Sequence, residues 1–159
     1  MTISGRFEHR ATAVGLTEPL LRRVINLFYQ KVRSDEVLGP VFNEAIGDHW
    51  EGHIERIVLF WLTATQLGTG YQGRNFLPAH LHNPAIRAEL LPRWLELFSE
   101  TAAAQCSSDA AAVLVDIAVG MAESLTISLE RRDGKRSHLK SARAISRKEW
   151  AAYGPHSIA

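Results

Sequence analysis

Tyr29, His53, His80 and Trp94 can each bind a metal or donate a hydrogen bond, and each stands among apolar neighbours on a different stretch of this 159-residue chain. A neutral imidazole ligates transition metals, while a phenol and an indole offer an O–H and an N–H to a ligand held nearby. Helical proteins assemble cofactor sites in this way, by bringing polar groups from facing segments into an apolar interior. Each residue also has an ordinary structural reading, because an interior histidine is commonly a hydrogen-bonded core residue and a buried Tyr or Trp commonly packs. A second constellation uses histidines alone: His49 and His53 stand four apart, and His80 and His82 would complete a tetrahedral four-His zinc site. The stretch His49-Trp50-Glu51-Gly52-His53 does not match H-E-x-x-H, so hydrolysis would have no base.

The elements that carry these residues read as helices, and the expected class is all-α. Thr17 is a good N-cap with Pro19 in the first turn, opening a helix to about Arg33. Leu21, Val24, Ile25, Phe28 and Val32 form its buried stripe, with Tyr29 on the flank. Asp35 to Leu38 reads as a short helical turn stopped by Gly39-Pro40, which leaves Val41 and Phe42 in a connecting segment. Asp48 and Glu51 have the spacing of a capping box for a helix ending at Gly68. Its apolar face holds Trp50, Ile54, Ile57, Val58, Trp61 and Leu62, with His53 among them.

Gly70, Gly73 and Pro78 break the run that delivers His80 and His82. Asn83-Pro84 reads as another N-cap and first-turn proline, followed by Leu90, Leu91, Trp94, Leu95, Leu97 and Phe98 at helical spacing. Pro92 belongs near a start or a kink, and from there it could displace the Trp94 indole. Ser107-Ser108-Asp109 caps a last long helix bearing Val113, Leu114, Ile117, Met121 and Leu125. Leu139, Ala142, Ile145 and Trp150 suffice for a weak further helix.

Size and 46% apolar content allow one domain with a real core. We expect an extension over 1–16, a domain over 17–132 and a tail over 133–159. The net charge of +1 conceals an asymmetry, with 10 Lys/Arg against 15 Asp/Glu in residues 1–130 and 8 against 2 in residues 131–159. The run Arg131-Arg132-Asp133-Gly134-Lys135-Arg136 can attract phosphates or anionic lipid, though such runs are also common as solvated ends; no specific nucleic-acid partner is expected. The N-terminus has no apolar run typical of a secretory signal, so a cytoplasmic location is expected. Asp116 and Glu123 interrupt the longest apolar stretch, Ala110 to Leu129, so no membrane span is expected. Cys106, the lone cysteine, permits no internal disulfide.

Taken in order, a longer set of residues resembles the truncated haemoglobins, and among their classes the third. The set is Phe28-Tyr29-x-Lys31-Val32-Arg33-x-Asp35, Leu38-Gly39-Pro40-Val41-Phe42-Asn43-x-Ala45-Ile46-Gly47, Trp50-x-x-His53, Phe60-Trp61, Tyr71-x-Gly73, His80 and Trp94-Leu95-x-Leu97-Phe98. The match spans roughly Leu20 to Phe98. The resemblance implies a shortened globin fold, a two-on-two helical sandwich around haem b. It assigns His80 to the proximal iron position in a dry setting beside Leu77 and Ala79, and Phe42 to the haem face. It makes Tyr29 and Trp94 distal hydrogen-bond donors to a diatomic ligand and places His53 at the distal histidine position, as donor or gate. Ile57, Phe60 and Trp61 would wall the pocket, although core packing serves equally well for each. His82 is too close along the chain to His80 for both to bind one face of the iron. With no Cys-x-x-Cys-His, haem would be held by coordination and packing.

The function this implies is binding of O2, NO or CO, with NO dioxygenation or peroxide chemistry as enzymatic possibilities. Turnover would need an electron donor, a separate reductase. Two readings of other classes stand beside it: a sensor or interaction module signalling through the basic tail, and the four-His zinc site.

Overall fold

The structure, a computed structural model, describes residues 11–68 and 80–135. Among them the elements are α1 (Glu18–Ser34), α2 (Gly39–Ile46), α3 (Trp50–Ala64), a 3₁₀ turn (Ala88–Leu90), α4 (Leu91–Gln105) and α5 (Ser108–Arg132). Short helical turns at 11–13 and 80–82 complete the set, and there is no strand among the described residues. The expected weak helix around Leu139 to Trp150 lies outside them.

Local chemistry explains α1 and α5. The Thr17 hydroxyl accepts from the Leu20 N–H at 3.3 Å, and Pro19 sits in the first turn of α1. Ser107 caps α5 in the same manner, accepting from the Ala110 N–H at 3.2 Å. The apolar stripe of α1 is buried throughout, and each such side chain contributes about 1.5–3 kcal/mol on leaving water. Ala11 and Leu16, ahead of the first cap, also join the core.

Three elements differ from the sequence expectation. Gly39-Pro40 starts a helix instead of stopping one, so Phe42 is carried on α2 and not on a connecting segment. Proline in the first turn forfeits no helical hydrogen bond, and the Asp35 carboxylate accepts from the Val37 and Leu38 N–H groups at 3.0 and 2.9 Å just before α2. Gly39 permits the close approach, since a Cβ there would lie 2.8 Å from the Arg33 carbonyl oxygen. The Asp48–Glu51 capping box does not form: α3 starts one residue later, behind His49, without a side-chain cap. Asn83-Pro84 makes a turn, with the Asn83 side chain accepting from the Ala85 N–H at 3.0 Å, and the next α-helix waits until Leu91. Pro92 lies in the first turn of α4, the start foreseen for it.

The C-terminus of α3 also departs from expectation, ending at Ala64 and not at Gly68. The Leu67 N–H donates to the Leu62 carbonyl at 2.9 Å and the Gln66 N–H to the Thr63 carbonyl at 3.1 Å, closing the helix with a Schellman pair. The residue in the left-handed conformation is Gln66, at φ 58°, where glycine would be unstrained. We therefore expect Gln66→Gly to raise stability by about 0.5–1 kcal/mol in urea unfolding. A lowered midpoint would show that the Gln66 side chain contributes more than the backbone relief.

The helices pack in two pairs, α1 with α3 and α4 with α5, joined chiefly where α1 lies on α4. An aromatic stack marks this junction. Phe98 lies between Trp61 and Trp94, with centroids 5.0 and 5.9 Å away and interplanar angles of 11° and 10°, while Phe28 meets it edge-on at 5.2 Å. Trp61 thus belongs to the core stack. A smaller cluster of Leu91, Leu125 and Leu129 seats Leu81, Ile86 and Ala88 on α5. Despite Asp116 and Glu123, α5 is long and apolar enough to cross a membrane by composition, but most of that stretch is buried inside the fold, as a core helix is.

Candidate functional site

Tyr29 on α1, Phe42 on α2, Trp50 and His53 on α3 and Trp94 on α4 converge around one point. The Tyr29 ring lies 6.4 Å from Phe42, 6.1 Å from Trp50 and 6.2 Å from His53, and its other side meets Phe28 at 4.7 Å. Phe28 also holds Trp94 edge-on at 5.6 Å, so Pro92 has not turned the indole away from the cluster. Burial pushes the Tyr29 phenol up to about 12, while the Trp94 indole, acting as a hydrogen-bond donor to it, pulls the other way. The phenol keeps its proton at neutral pH and remains a donor.

His53 meets Tyr29 and Trp50 edge-on, at 6.2 and 5.9 Å. Burial, then the positive charge of Arg56, then that of His80 lower its pKa to about 4. The imidazole is therefore neutral at pH 7, with one nitrogen donating and one accepting. The influence of His80 places both imidazoles in one electrostatic neighbourhood. His80 is half-buried in the turn at 80–82. Its expected neighbours Leu77 and Ala79, and the Tyr71-x-Gly73 motif, lie outside the described residues.

The shift at His53 carries a pH dependence. Its folded pKa lies below the ordinary 6.5, so between that value and about 4 the unfolded chain binds a proton that the folded chain does not. Stability must fall as pH drops through this window. Lowering the pH from 7 to 5 should cost the apoprotein about 2 kcal/mol at this site, and His53→Gln should remove that part of the slope in urea titrations at the two pH values. An unchanged slope would place the acid-sensitive group elsewhere.

Ile57 and Phe60 stand on α3, and with Phe42 and Ile46 they are half-buried apolar side chains packed on the edge of the core. Phe60 meets Trp61 at 5.9 Å. A partly uncovered apolar rim beside two imidazoles, with a phenol and an indole within, suits a flat hydrophobic group that carries a metal. It does not suit a bare cation. Among the described residues, which include His49, His53, His80 and His82, no three His, Cys, Asp or Glu side chains converge to hold a metal ion. His49 and His82 are exposed, and the His49 ring lies against the Ile46 carbonyl at 3.3 Å. The four-His zinc reading is overturned, because no three of its members come together.

Three further features support the site, and of these the sequence reading had placed only Trp50, on the apolar face of its helix. Trp50 closes the cluster, with the Arg33 guanidinium 4.7 Å over its ring. Arg93 donates from two nitrogens, at 2.9 and 2.7 Å, to one carboxylate oxygen of Asp35, a pair that ties the start of α2 to the residue before Trp94. Burial alone would raise the Asp35 pKa, but Arg93 and the Leu38 and Val37 N–H groups hold the carboxyl below the usual range. Between α1 and α3 a groove of about 430 Å³ reaches Tyr29 and Trp50 from a rim that includes Arg22 and Glu55. Only Trp50 had a local signal, standing one turn before His53.

The chain is 36% identical over 89 residues to a group 3 truncated haemoglobin of Campylobacter jejuni, an alignment covering 54% of this chain and 69% of that protein. This chain belongs to the group 3 truncated haemoglobins. The crystal structure of a group III truncated haemoglobin from C. jejuni superposes with a TM-score of 0.66 at 30% identity, covering 71% of this chain and 91% of the other. No protein-family model matches the chain. The two helix pairs are thus the shortened globin fold, and a group 3 truncated haemoglobin is a globin-type protein that binds ligands through haem, diatomic gases such as O2 among them.

Proposed function

We propose that this truncated haemoglobin holds haem b through the His80 imidazole and receives a diatomic ligand in the pocket formed by Tyr29, Trp94 and His53. The observation that carries this reading is the convergence of Tyr29, Trp94 and His53 beside the half-buried apolar side chains Phe42, Ile57 and Phe60, with His80 in electrostatic reach of His53. Haem b supplies an iron centre that coordinates the ligand and exchanges one electron.

The protein's own part is placement and polarity. Tyr29 would direct its O–H at the far atom of the ligand, where partial negative charge gathers, and the Trp94 N–H, which donates to the Tyr29 oxygen in the structure, would turn from it to share that contact, with both rings held by Phe28. His53, neutral at pH 7, adds a third polar contact and stands beside Trp50 at the edge of the pocket. Phe42, Ile57 and Phe60 would lie against the haem and keep water from it. Donors fixed in this manner favour retention and oxidation over quick release. The reaction they suit is the combination of NO with O2 to give nitrate, with one electron supplied by a separate reductase.

The test mixes ferrous, haem-reconstituted protein equilibrated with O2 against stoichiometric NO. The expected result is one nitrate formed per NO as the protein becomes ferric. Consumption of hydrogen peroxide without nitrate formation would replace this reaction by peroxide reduction, and neither activity would reduce the role to binding.

A further inference from the structure

From the carbonyls it gathers, we infer that Arg132, at the C-terminal end of α5, is a positioning residue for His80, holding the segment that follows the histidine against the last helix. The inference rests on the proximal reading of His80 given above.

After the turn at 80–82 the chain runs to residue 87 without a helix, so its carbonyls have no helical ladder to accept from. Arg132 answers two of them, together with the Leu81 carbonyl in the turn itself. One terminal nitrogen donates to the Leu81 carbonyl at 3.2 Å and the Asn83 carbonyl at 3.0 Å, and the other donates to the Ile86 carbonyl at 2.7 Å. Asp133 accepts from the same guanidinium at 2.7 and 3.0 Å and fixes its plane. A guanidinium presents five donors in a rigid fork, whereas the lysine ammonium is a single point of charge.

Two further contacts extend the clamp. Leu81, Ile86 and Ala88 pack on Leu91, Leu125 and Leu129 beneath it, and Lys135 pairs with Glu89 beyond it. Arg132 and Lys135 are therefore engaged within the fold, although in the sequence they belong to a basic run able to attract anions. The Asn83 N–H reaches the His80 carbonyl at 3.4 Å, so the residue held by Arg132 is the one that closes the His80 turn. Displacement of this segment would move the imidazole, and a group that orients a metal ligand in this way commonly affects metal affinity by about 10–100-fold.

The test compares wild type, Arg132→Ala, Arg132→Lys and, as a control on the far helix pair, Arg22→Ala. Hydrogen exchange of the apoproteins reads the clamp without haem. Arg132→Ala is expected to speed exchange of the Leu81 to Leu90 amides at least tenfold while the α1 amides keep their rates, with Arg132→Lys intermediate and Arg22→Ala silent in that segment. In the haem-loaded forms, transfer of haem to an excess of acceptor globin should quicken about tenfold in Arg132→Ala. The iron–histidine stretching band of the ferrous protein should broaden or shift in the same variant. Unchanged exchange in this segment, or acceleration spread over every helix, would overturn the clamp. Localised exchange with an unmoved stretching band and unmoved haem loss would overturn its action on His80. Wild-type protein that takes up no haem would overturn the proximal reading itself, and the apoprotein exchange separates that failure from failure of the clamp.

Discussion

Replacing Tyr29 by Phe is expected to release O2 from the haem-reconstituted protein roughly 10- to 100-fold faster than wild type. The substitution removes one oxygen atom from a ring that is 7% exposed and held by Phe28, so packing is preserved and only the donor is lost. A hydrogen bond to a charged or strongly polar group contributes about 1.5–3 kcal/mol, and each 1.4 kcal/mol corresponds to about tenfold in a rate or an equilibrium. Trp94 still faces the ligand in the variant, which keeps the effect finite. The measurement is stopped-flow displacement of O2 by excess CO. An unchanged rate would remove Tyr29 from the donor set and leave Trp94 or His53 to act, with Trp94→Phe and His53→Leu as the discriminating variants.

Phe98→Ala is expected to cost about 3–5 kcal/mol of folding stability, among the larger effects available to one substitution in a domain of this size. Phe98 is fully buried and joins three helices by its rings, stacked between Trp61 of α3 and Trp94 of its own helix, with Phe28 of α1 edge-on. Removing it opens a cavity among rigid rings that cannot collapse readily and forfeits three aromatic pairs of about 0.5–1.5 kcal/mol each beyond their buried area. Because Trp94 loses its stacking partner, the variant should also release O2 faster, which an equally destabilising change remote from the stack should not do. Chemical unfolding followed by tryptophan fluorescence measures the first effect. A loss under 1 kcal/mol would mean that the stack does not join the two helix pairs.

The sequence made the fold legible where the signals were local. The Thr17 and Ser107 caps lie within three residues of the N–H groups they serve, and the α1 stripe follows from the 3.6-residue repeat, so both were readable before any packing was known. Asp48 with Glu51 offered an equally local pattern, yet α3 begins behind His49, because a capping pattern is a preference that packing of the α2–α3 turn overrides. Gly39-Pro40 read as a stop because either residue breaks a helix interior. At a first turn the same pair is permissive, and only the proximity of the Arg33 carbonyl shows why glycine is needed.

For the site, periodicity could place Tyr29 and His53 on inward faces, but no spacing rule joins residues on α1, α3 and α4. Their convergence was legible only through resemblance to a family. The long-range contacts left no trace in local pattern. Asp35 finds Arg93 across 58 positions, and Arg132 finds carbonyls 46 to 51 positions earlier in the chain. The tail beyond Lys135, in which the sequence suggested signalling, lies outside the described residues.

The most direct test of haem ligation through His80 is the visible spectrum of reconstituted wild type and His80→Gly, each in ferric, dithionite-reduced and CO-bound forms, with and without added imidazole. The account predicts a wild-type Soret band that shifts on adding CO, a band lost or strongly altered in His80→Gly, and recovery of the wild-type spectrum when imidazole enters the space left by the side chain. A His80→Gly spectrum identical to wild type, or a wild type that binds no haem, would contradict it.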